Sequence, residues 1–200
     1  EPDIFWIKSI LNPGDLAIDV GANYGLYTYN LSKAVGDNGF VYAFEPIPYT
    51  FRTLKRITRL FRLKNVQLIN KGCSDNKGKI KFSVPLQENG TISAGLAFID
   101  MDEKSRSARL NKGEHSDIVT IESEIIKIDD LDYKKVSFMK IDVEGAELMV
   151  LKGAFNTIKN LKPIIMIEIE DRWIESYDIK RKDISSFFSD INYQTHYLSE

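Results

Sequence analysis

The sequence is poor in the features that mark secreted, membrane-spanning and nucleic-acid-binding proteins. Its single cysteine, Cys73, allows neither an internal disulfide nor a cysteine-based zinc site, which fits a reducing compartment. The apolar runs are only a few residues long, as at 164–167, whereas a membrane-spanning helix needs about 20. The N-terminal stretch lacks the basic and apolar regions of a signal peptide. With 27 basic and 29 acidic side chains, the net charge of −2 gives no field suited to a nucleic-acid backbone. We therefore expect a cytoplasmic protein without nucleic-acid or membrane partners.

What the sequence does contain is an alternation of strand-like and helix-like segments. Helical spacing of apolar residues predicts helices between short apolar runs, and those runs predict strands at 16–20, 40–45, 66–70, 137–143 and 163–170. The last run is almost continuously apolar, which is typical of a central parallel strand. This order predicts an α/β fold, a doubly wound and mostly parallel sheet with helices on both faces. We expect a single domain over residues 1–200.

The middle and the end of the chain are less regular. Alternating apolar residues at 79–84 and 117–126 predict edge or half-buried strands. Residues 85–117 lose this periodicity, and we expect a long irregular segment there. A last helix around 184–191 and a last strand at 193–198 complete the predicted elements. The basic residues between 52 and 62 are interpreted as a solvated helix face.

The first strand-to-helix turn, DVGANYG at 19–25, carries the strongest chemical signal. A dinucleotide fingerprint would place a second glycine where Asn23 stands, and Asp19 would oppose a diphosphate. A cationic ligand without phosphate, such as S-adenosylmethionine, suits this turn better. Glu45 follows the second strand, where a carboxylate accepts both ribose hydroxyls of a nucleoside. Asp75, after the third strand, is predicted to contact the adenine amino group. The predicted cofactor-binding residues are Asp19, Gly21, Ala22, Asn23, Gly25, Glu45, Pro46, Ser74, Asp75 and Asp142.

Four segments of the chain resemble the FkbM-type family of S-adenosylmethionine-dependent methyltransferases. They are EP at 1–2 with NPGDLAIDVGANYGLYT at 12–28, FEP at 44–46, IDDL at 128–131 with MKIDVEGAELMVLKGA at 139–154, and KPIIMIEIE at 162–170. The resemblance spans most of the chain outside residues 85–117. It implies a class I methyltransferase fold, which is Rossmann-like, and O-methylation of a hydroxyl on a sugar, glycan or small natural product.

Methyl transfer to a hydroxyl requires a base for the hydroxyl proton, or a metal that acidifies the hydroxyl. Asp142 closes the fourth apolar run, Glu144 follows it, and Glu168 closes the fifth, so these three carboxylates are the predicted catalytic residues. His115 and His196 are weaker candidates for the base. Three carboxylates would also suit Mg²⁺, but the spacing does not distinguish a metal site from cofactor contacts, and no metal is predicted.

Two other functions remain open at this stage. A nicotinamide-dependent oxidoreductase could use the same sheet, although Asn23 in the glycine turn and the lack of a Tyr-x-x-x-Lys segment count against it. A catalytically inactive binding or scaffold protein of methyltransferase shape would show cofactor binding without turnover.

Overall fold

A computed structural model describes residues 2–86, 97–100 and 118–197 of the chain. Its helices are α1 (Pro2–Ile10), α2 (Leu26–Val35), α3 (Pro48–Leu60), α4 (Glu147–Gly153), α5 (Phe155–Leu161), α6 (Asp171–Ile174) and α7 (Arg181–Asp190). Its strands are β1 (Leu16–Val20), β2 (Phe40–Phe44), β3 (Val66–Ile69), β4 (Gly72–Cys73), β5 (Gly78–Pro85), β6 (Phe98–Ile99), β7 (Ile118–Ile126), β8 (Phe138–Ile141) and β9 (Ile164–Ile167). Single 3₁₀ turns lie at Ile128–Asp130 and Glu175–Tyr177.

The first sheet is parallel, and its strands follow the order β3-β2-β1-β8-β9. The change of direction lies between β1 and β8, because the chain runs outward from β1 to β3 and then returns to the other side of β1. Ligands bind beyond the carboxyl ends of the strands at such a switch point. The predicted α/β fold with a mostly parallel sheet is confirmed.

Helices cover both faces of the first sheet, as the sequence predicts. On one face, Ala17 and Val41 pack with α1 and α2, while Leu54 of α3 packs on Ala43. On the other face, Ile18 and Ile141 pack with α4, α5 and α7. Alternate residues of a strand point to opposite faces, so these apolar strands are buried on both sides and join two layers of core.

A second sheet lies over the carboxyl end of the first. Its order is β4-β7-β5-β6, with β5 antiparallel to both β7 and β6 and β4 parallel to β7. Phe82, Ile99 and Ile125 of this sheet pack against Ile47 and Ala146, which follow strands of the first sheet. The second sheet therefore forms a wall beside the ligand-binding edge.

Three expectations about the strands require correction. The apolar run at 163–170 forms β9, which is an edge strand of the first sheet within the described residues, and Ile164 is exposed. Residues 193–197 form no strand, because no neighbouring strand pairs with them in the described part of the chain. The segment 85–117 is not wholly irregular: Pro85 ends β5, and Phe98–Ile99 form β6. The remainder of that segment, apart from Leu86, Ala97 and Asp100, lies outside the described residues.

Among the described residues, the helices are too short and too polar to traverse a lipid bilayer.

Candidate functional site

A cavity opens at the carboxyl ends of β1, β2 and β8. Its floor is formed by the residues that end these strands or follow them, and its opposite wall by the second sheet. The lining residues from the first sheet side are Val20, Gly21, Asn23, Phe44, Glu45, Pro46, Ile47, Asp142, Val143, Glu144 and Ala146. Lys71, Gly72, Cys73, Phe82, Ala97 and Ile99 complete the lining. The cavity therefore has a carboxylate-rich side and a largely apolar side.

The glycine turn after β1 packs directly against the end of β8. Gly21 has φ +80°, and a Cβ placed there would lie 1.8 Å from the carbonyl oxygen of Asp142. A side chain at this position is therefore excluded by both backbone conformation and space. The Gly21 and Ala22 amides donate to the Phe44 carbonyl at 3.1 and 2.9 Å, so the turn is fixed to β2 as well. This packing holds three strand ends around one cavity.

Glu45 is buried at the end of β2, with only 5% of its surface exposed. One carboxylate oxygen accepts a hydrogen bond from the backbone amide of Asn23 at 3.0 Å, and the other accepts one from the backbone amide of Ile47 at 2.8 Å. Burial raises the pKa of this carboxyl to about 7, although both amides favour the ionised form. Each oxygen retains a lone pair for a further donor, because a carboxylate has about four acceptor positions.

Asn23 contributes a second unusual polar group to the cavity. Its backbone is left-handed, with φ +48°, a conformation that asparagine tolerates better than most residues. Its side-chain oxygen Oδ1 is buried and accepts no hydrogen bond within the described structure. Buried oxygens are usually paired, so this atom is suited to a donor supplied by a ligand.

A buried lysine connects the acidic groups of β1 and β8. Lys140 is 3% exposed, and its Nζ donates to Asp142 Oδ2 at 2.9 Å and to the Gly21 carbonyl at 3.3 Å. The same Nζ lies 4.0 Å from Asp19 Oδ1 and 4.6 Å from the centre of the Tyr27 ring. Lys140 thus joins the glycine turn to the strand end that carries Asp142.

Asp19 lies beneath the cavity and does not line it. It is fully buried, and its Oδ2 accepts a hydrogen bond from the Thr28 hydroxyl at 2.6 Å. Burial raises its pKa, and the nearby Lys140 opposes that effect. Asp19 therefore supports the turn and the lysine; it is not among the cavity-lining residues, and its predicted cofactor contact stays a prediction.

The loop after β8 places Glu144 in the cavity lining, whereas Glu147 accepts hydrogen bonds from the backbone of the loop itself. Glu144 has φ +56°, so the chain bends sharply there before Gly145. One oxygen of the buried Glu147 accepts from the Gly145 amide at 2.9 Å and from the Val143 amide at 3.4 Å. Burial raises the pKa of Glu147. Glu147 fixes the loop that carries Asp142 and Glu144.

Of the predicted site residues, Gly21, Asn23, Glu45, Pro46, Asp142 and Glu144 line the cavity. Ala22 packs with Ala43 and Leu54 in the core. Gly25 is a buried turn residue with φ +94°, and a Cβ there would lie 2.6 Å from Leu54 Cδ1. These two residues shape the turn from behind the cavity.

Ser74 and Asp75 follow β4 outside the cavity lining. Asp75 accepts hydrogen bonds from its neighbours Ser74 and Asn76 at 3.2 and 2.9 Å. Glu168 follows β9 and is mostly exposed; partial burial raises its pKa, as does the charge of Asp142. The predicted roles of these three residues stay predictions, and the cavity itself presents Lys71, Gly72 and Cys73 from the same region.

Two histidines were the weaker candidates for the base. His196 is exposed, and His115 lies outside the described residues. Within the described ranges, no group of three or more histidine, cysteine, aspartate or glutamate side chains has the geometry of a metal site.

Lys140 and the second-sheet wall were not among the residues predicted from the sequence. The signal for Lys140 was a lysine inside the apolar run SFMKIDV, where a charged side chain must find partners if it is buried. The wall residues Phe82 and Ile99 carry no local signal, since their position depends on how the second sheet packs on the first.

A family model described as the Methyltransferase FkbM domain matches residues 19–194 of this chain. The chain belongs to the FkbM methyltransferase family. The resemblance identified from the sequence motifs is therefore confirmed.

This chain also matches two curated relatives. It is 28% identical over 164 residues to Methyltransferase 1 of Beauveria bassiana (strain ARSEF 2860), covering 77% of this chain and 64% of that protein. It is 27% identical over 182 residues to the hexuronic acid methyltransferase AglP of Haloferax volcanii, covering 90% of this chain and 64% of that protein. The chain thus spans 64% of the length of each of these relatives.

A solved structure shares the fold. The methyltransferase FkbM of Methylobacillus flagellatus KT superposes with a TM-score of 0.59 at 17% identity, covering 94% of this chain and 44% of that chain. This likeness supports the Rossmann-like fold of class I methyltransferases, with its ligand-binding edge at the carboxyl ends of the parallel strands.

Proposed function

We propose that this family member transfers a methyl group from S-adenosylmethionine to a hydroxyl of a sugar, glycan or small natural product. The observation that carries the proposal is the convergence of Glu45, Asp142 and Glu144 on one cavity at the switch point of the sheet. Membership of a methyltransferase family supports the reaction type over hydride transfer to a nicotinamide.

The cavity residues fit S-adenosylmethionine chemically. Glu45 has free acceptor positions for two ribose hydroxyls, and the unpaired Asn23 Oδ1 can accept from an N–H or O–H donor. Asp142 and Glu144 favour a ligand with sulfonium and ammonium groups, whereas the same carboxylates repel a diphosphate. When bound, S-adenosylmethionine supplies an activated methyl group to a nucleophilic oxygen.

Asp142 is the residue we assign to the acceptor's proton, with Glu144 as the second candidate. Lys140 donates a hydrogen bond to Asp142 Oδ2 at 2.9 Å and so holds this side chain in the cavity lining. Its second contact, to the Gly21 carbonyl, fixes the position of the base relative to the glycine turn. Positioning of the two reactants supplies much of the acceleration in such a displacement.

A sugar acid is the acceptor class that the site and the relatives favour together. AglP is named for the methylation of hexuronic acid. The cavity of this chain contains Lys71, whose Nζ forms an ion pair with Glu124 at 2.8 Å on the half-exposed rim. An acceptor carboxylate can exchange with Glu124 at this cation while the hydroxyl side faces Asp142.

The proposal is tested by incubating the chain with S-adenosylmethionine and a panel of hexuronic acids, neutral hexoses and phenols. We expect methylated sugar acid by mass spectrometry, and the product should survive mild alkali, since a methyl ether is stable where a methyl ester is not. Asp142→Asn should lower turnover by about 100-fold or more, as loss of a general base does, whereas the exposed Asp190→Asn should not. Cofactor binding without turnover on any acceptor would instead favour the inactive binding protein.

A further inference from the structure

One continuous stretch of the chain carries basic side chains and no acidic ones. Residues 46–74 contain seven basic side chains and no acidic one, although the whole chain has a net charge of −2. Helix α3 lies within this stretch and contributes four of the cations. We use "the α3 face" for Arg52, Lys55, Arg56, Arg59, Leu60 and Phe61.

The cations of the α3 face are exposed, and none of them forms an ion pair with another described residue. Arg52 and Arg56 are four residues apart, as are Lys55 and Arg59, so like charges neighbour each other along the helix. Such pairs destabilise a helix, whereas a merely solvated helix commonly alternates the sign of its charges. The arrangement is suited to an anionic partner.

Two large apolar side chains lie at the carboxyl-terminal end of α3, Leu60 within the helix and Phe61 directly after it. Leu60 is 76% exposed, and it follows Arg56 by one helical turn. Phe61 is 50% exposed, and its ring packs edge-on against Tyr29 of α2 with the centroids 5.0 Å apart. This contact holds Phe61 in place at the surface without covering it.

Against the sequence-based expectation of a solvated helix and no membrane partner, we propose that the α3 face docks this protein on an anionic phospholipid bilayer. Cations next to exposed leucine and phenylalanine side chains suit the interfacial zone of a bilayer. There the anionic headgroups attract the cations, and the apolar side chains enter the boundary between headgroups and acyl chains. A polyanion in solution would satisfy the cations and leave Leu60 and Phe61 in water. Ile47, which lines the cavity, immediately precedes α3, so the docked helix leads from the bilayer to the cavity rim.

Sedimentation with vesicles tests this docking independently of the methyl-transfer proposal. The 200-residue chain should bind vesicles with about 30% phosphatidylserine at least about tenfold more strongly than vesicles of phosphatidylcholine alone, and added salt should weaken the binding. The triple variant R52E/R56E/R59E should lose this preference. The matched control K77E/K134E/K182E changes the net charge equally at exposed sites elsewhere and should bind like the wild type.

A second variant separates charge from insertion. Leu60→Ser with Phe61→Ser should lower vesicle binding about tenfold while preserving the affinity for S-adenosylhomocysteine, which reports that the fold is kept. Equal loss of binding in the control triple variant, or no preference for phosphatidylserine, would overturn the proposal. Binding to heparin with none to vesicles would also overturn it, in favour of a soluble polyanion.

Discussion

The burial of Glu45 predicts that this protein loses stability as the pH rises from 5 to 8. The pKa of the folded carboxyl is raised to about 7 by burial, against an ordinary value of 4.5. Between these two pKa values the folded state therefore holds a proton that the unfolded chain has released. Stability linked to Glu45 is fully present below pH 4.5 and is lost as the pH rises through 7.

The size of the effect follows from the two pKa values. One pKa unit corresponds to about 1.4 kcal/mol. The proton difference acts from pH 5 up to the folded pKa of about 7, so the unfolding free energy falls by about 2.5 kcal/mol between pH 5 and pH 8. Burial also raises the pKa values of Asp19 and Glu147, so these two residues likewise make the unfolding free energy fall as the pH rises. The contribution of Glu45 is therefore isolated by a variant, not by the wild-type curve alone.

Urea unfolding of the wild type and of Glu45→Gln at pH 5, 6, 7 and 8 measures this contribution. The variant cannot ionise at this position, so its stability should fall by about 2.5 kcal/mol less than that of the wild type over this range. Its absolute stability can differ, because glutamine cannot accept from both the Asn23 and Ile47 amides. Glu122→Gln, at an exposed glutamate of β7, is the matched control and should follow the wild type. Parallel curves for the wild type and Glu45→Gln would refute the reasoning.

Three further substitutions test the support of the site. Lys140→Met should lower the unfolding free energy by about 3–5 kcal/mol in urea, because it leaves the buried Asp19 and the half-buried Asp142 without their cation, and Lys140→Arg should restore part of the loss. Gly21→Ala should abolish binding of S-adenosylhomocysteine in calorimetry, whereas Gly14→Ala, at a similar φ of +92° with nothing within 4 Å, should retain it. Tyr177→Phe should lower the thermal unfolding temperature by an amount equivalent to about 1–3 kcal/mol, because the Ile99 amide and carbonyl of β6 both lose their hydroxyl partner. No change in stability for Lys140→Met or Tyr177→Phe, or equal binding by both glycine variants, would contradict these assignments.

The first sheet was predictable because its strands are short apolar runs bounded by turn residues. The run at 16–20 reappears as β1 with the same bounds, and those at 40–45 and 66–70 each lose one residue at the end. Such runs report burial on both faces, which is a local property of the sequence. They do not report the order of the strands, so the edge position of β9 was missed.

The second sheet and the charge network could not be predicted in the same way. Strand β5 pairs with β7 across more than thirty residues of sequence, and its alternating pattern says only that one side is buried. The burial of Lys140 depends on Gly21 and Asp19 being brought to its ammonium group from β1, whereas Asp142 is only two residues away along the chain. Similarly, the glycine turn indicated a ligand site, but only the fold showed that Asp19 lies below the cavity and Glu45 within its lining.

The most direct test of the central claim is calorimetric titration of the chain with S-adenosylmethionine, S-adenosylhomocysteine and NAD, repeated with Glu45→Ala. We predict micromolar binding of the first two ligands and none of NAD. Loss of the Glu45 carboxylate should weaken binding by about tenfold or more, as expected for a charge-assisted hydrogen bond. Binding of NAD alone, or unchanged affinity in Glu45→Ala, would contradict the assignment of this cavity to the methyl donor.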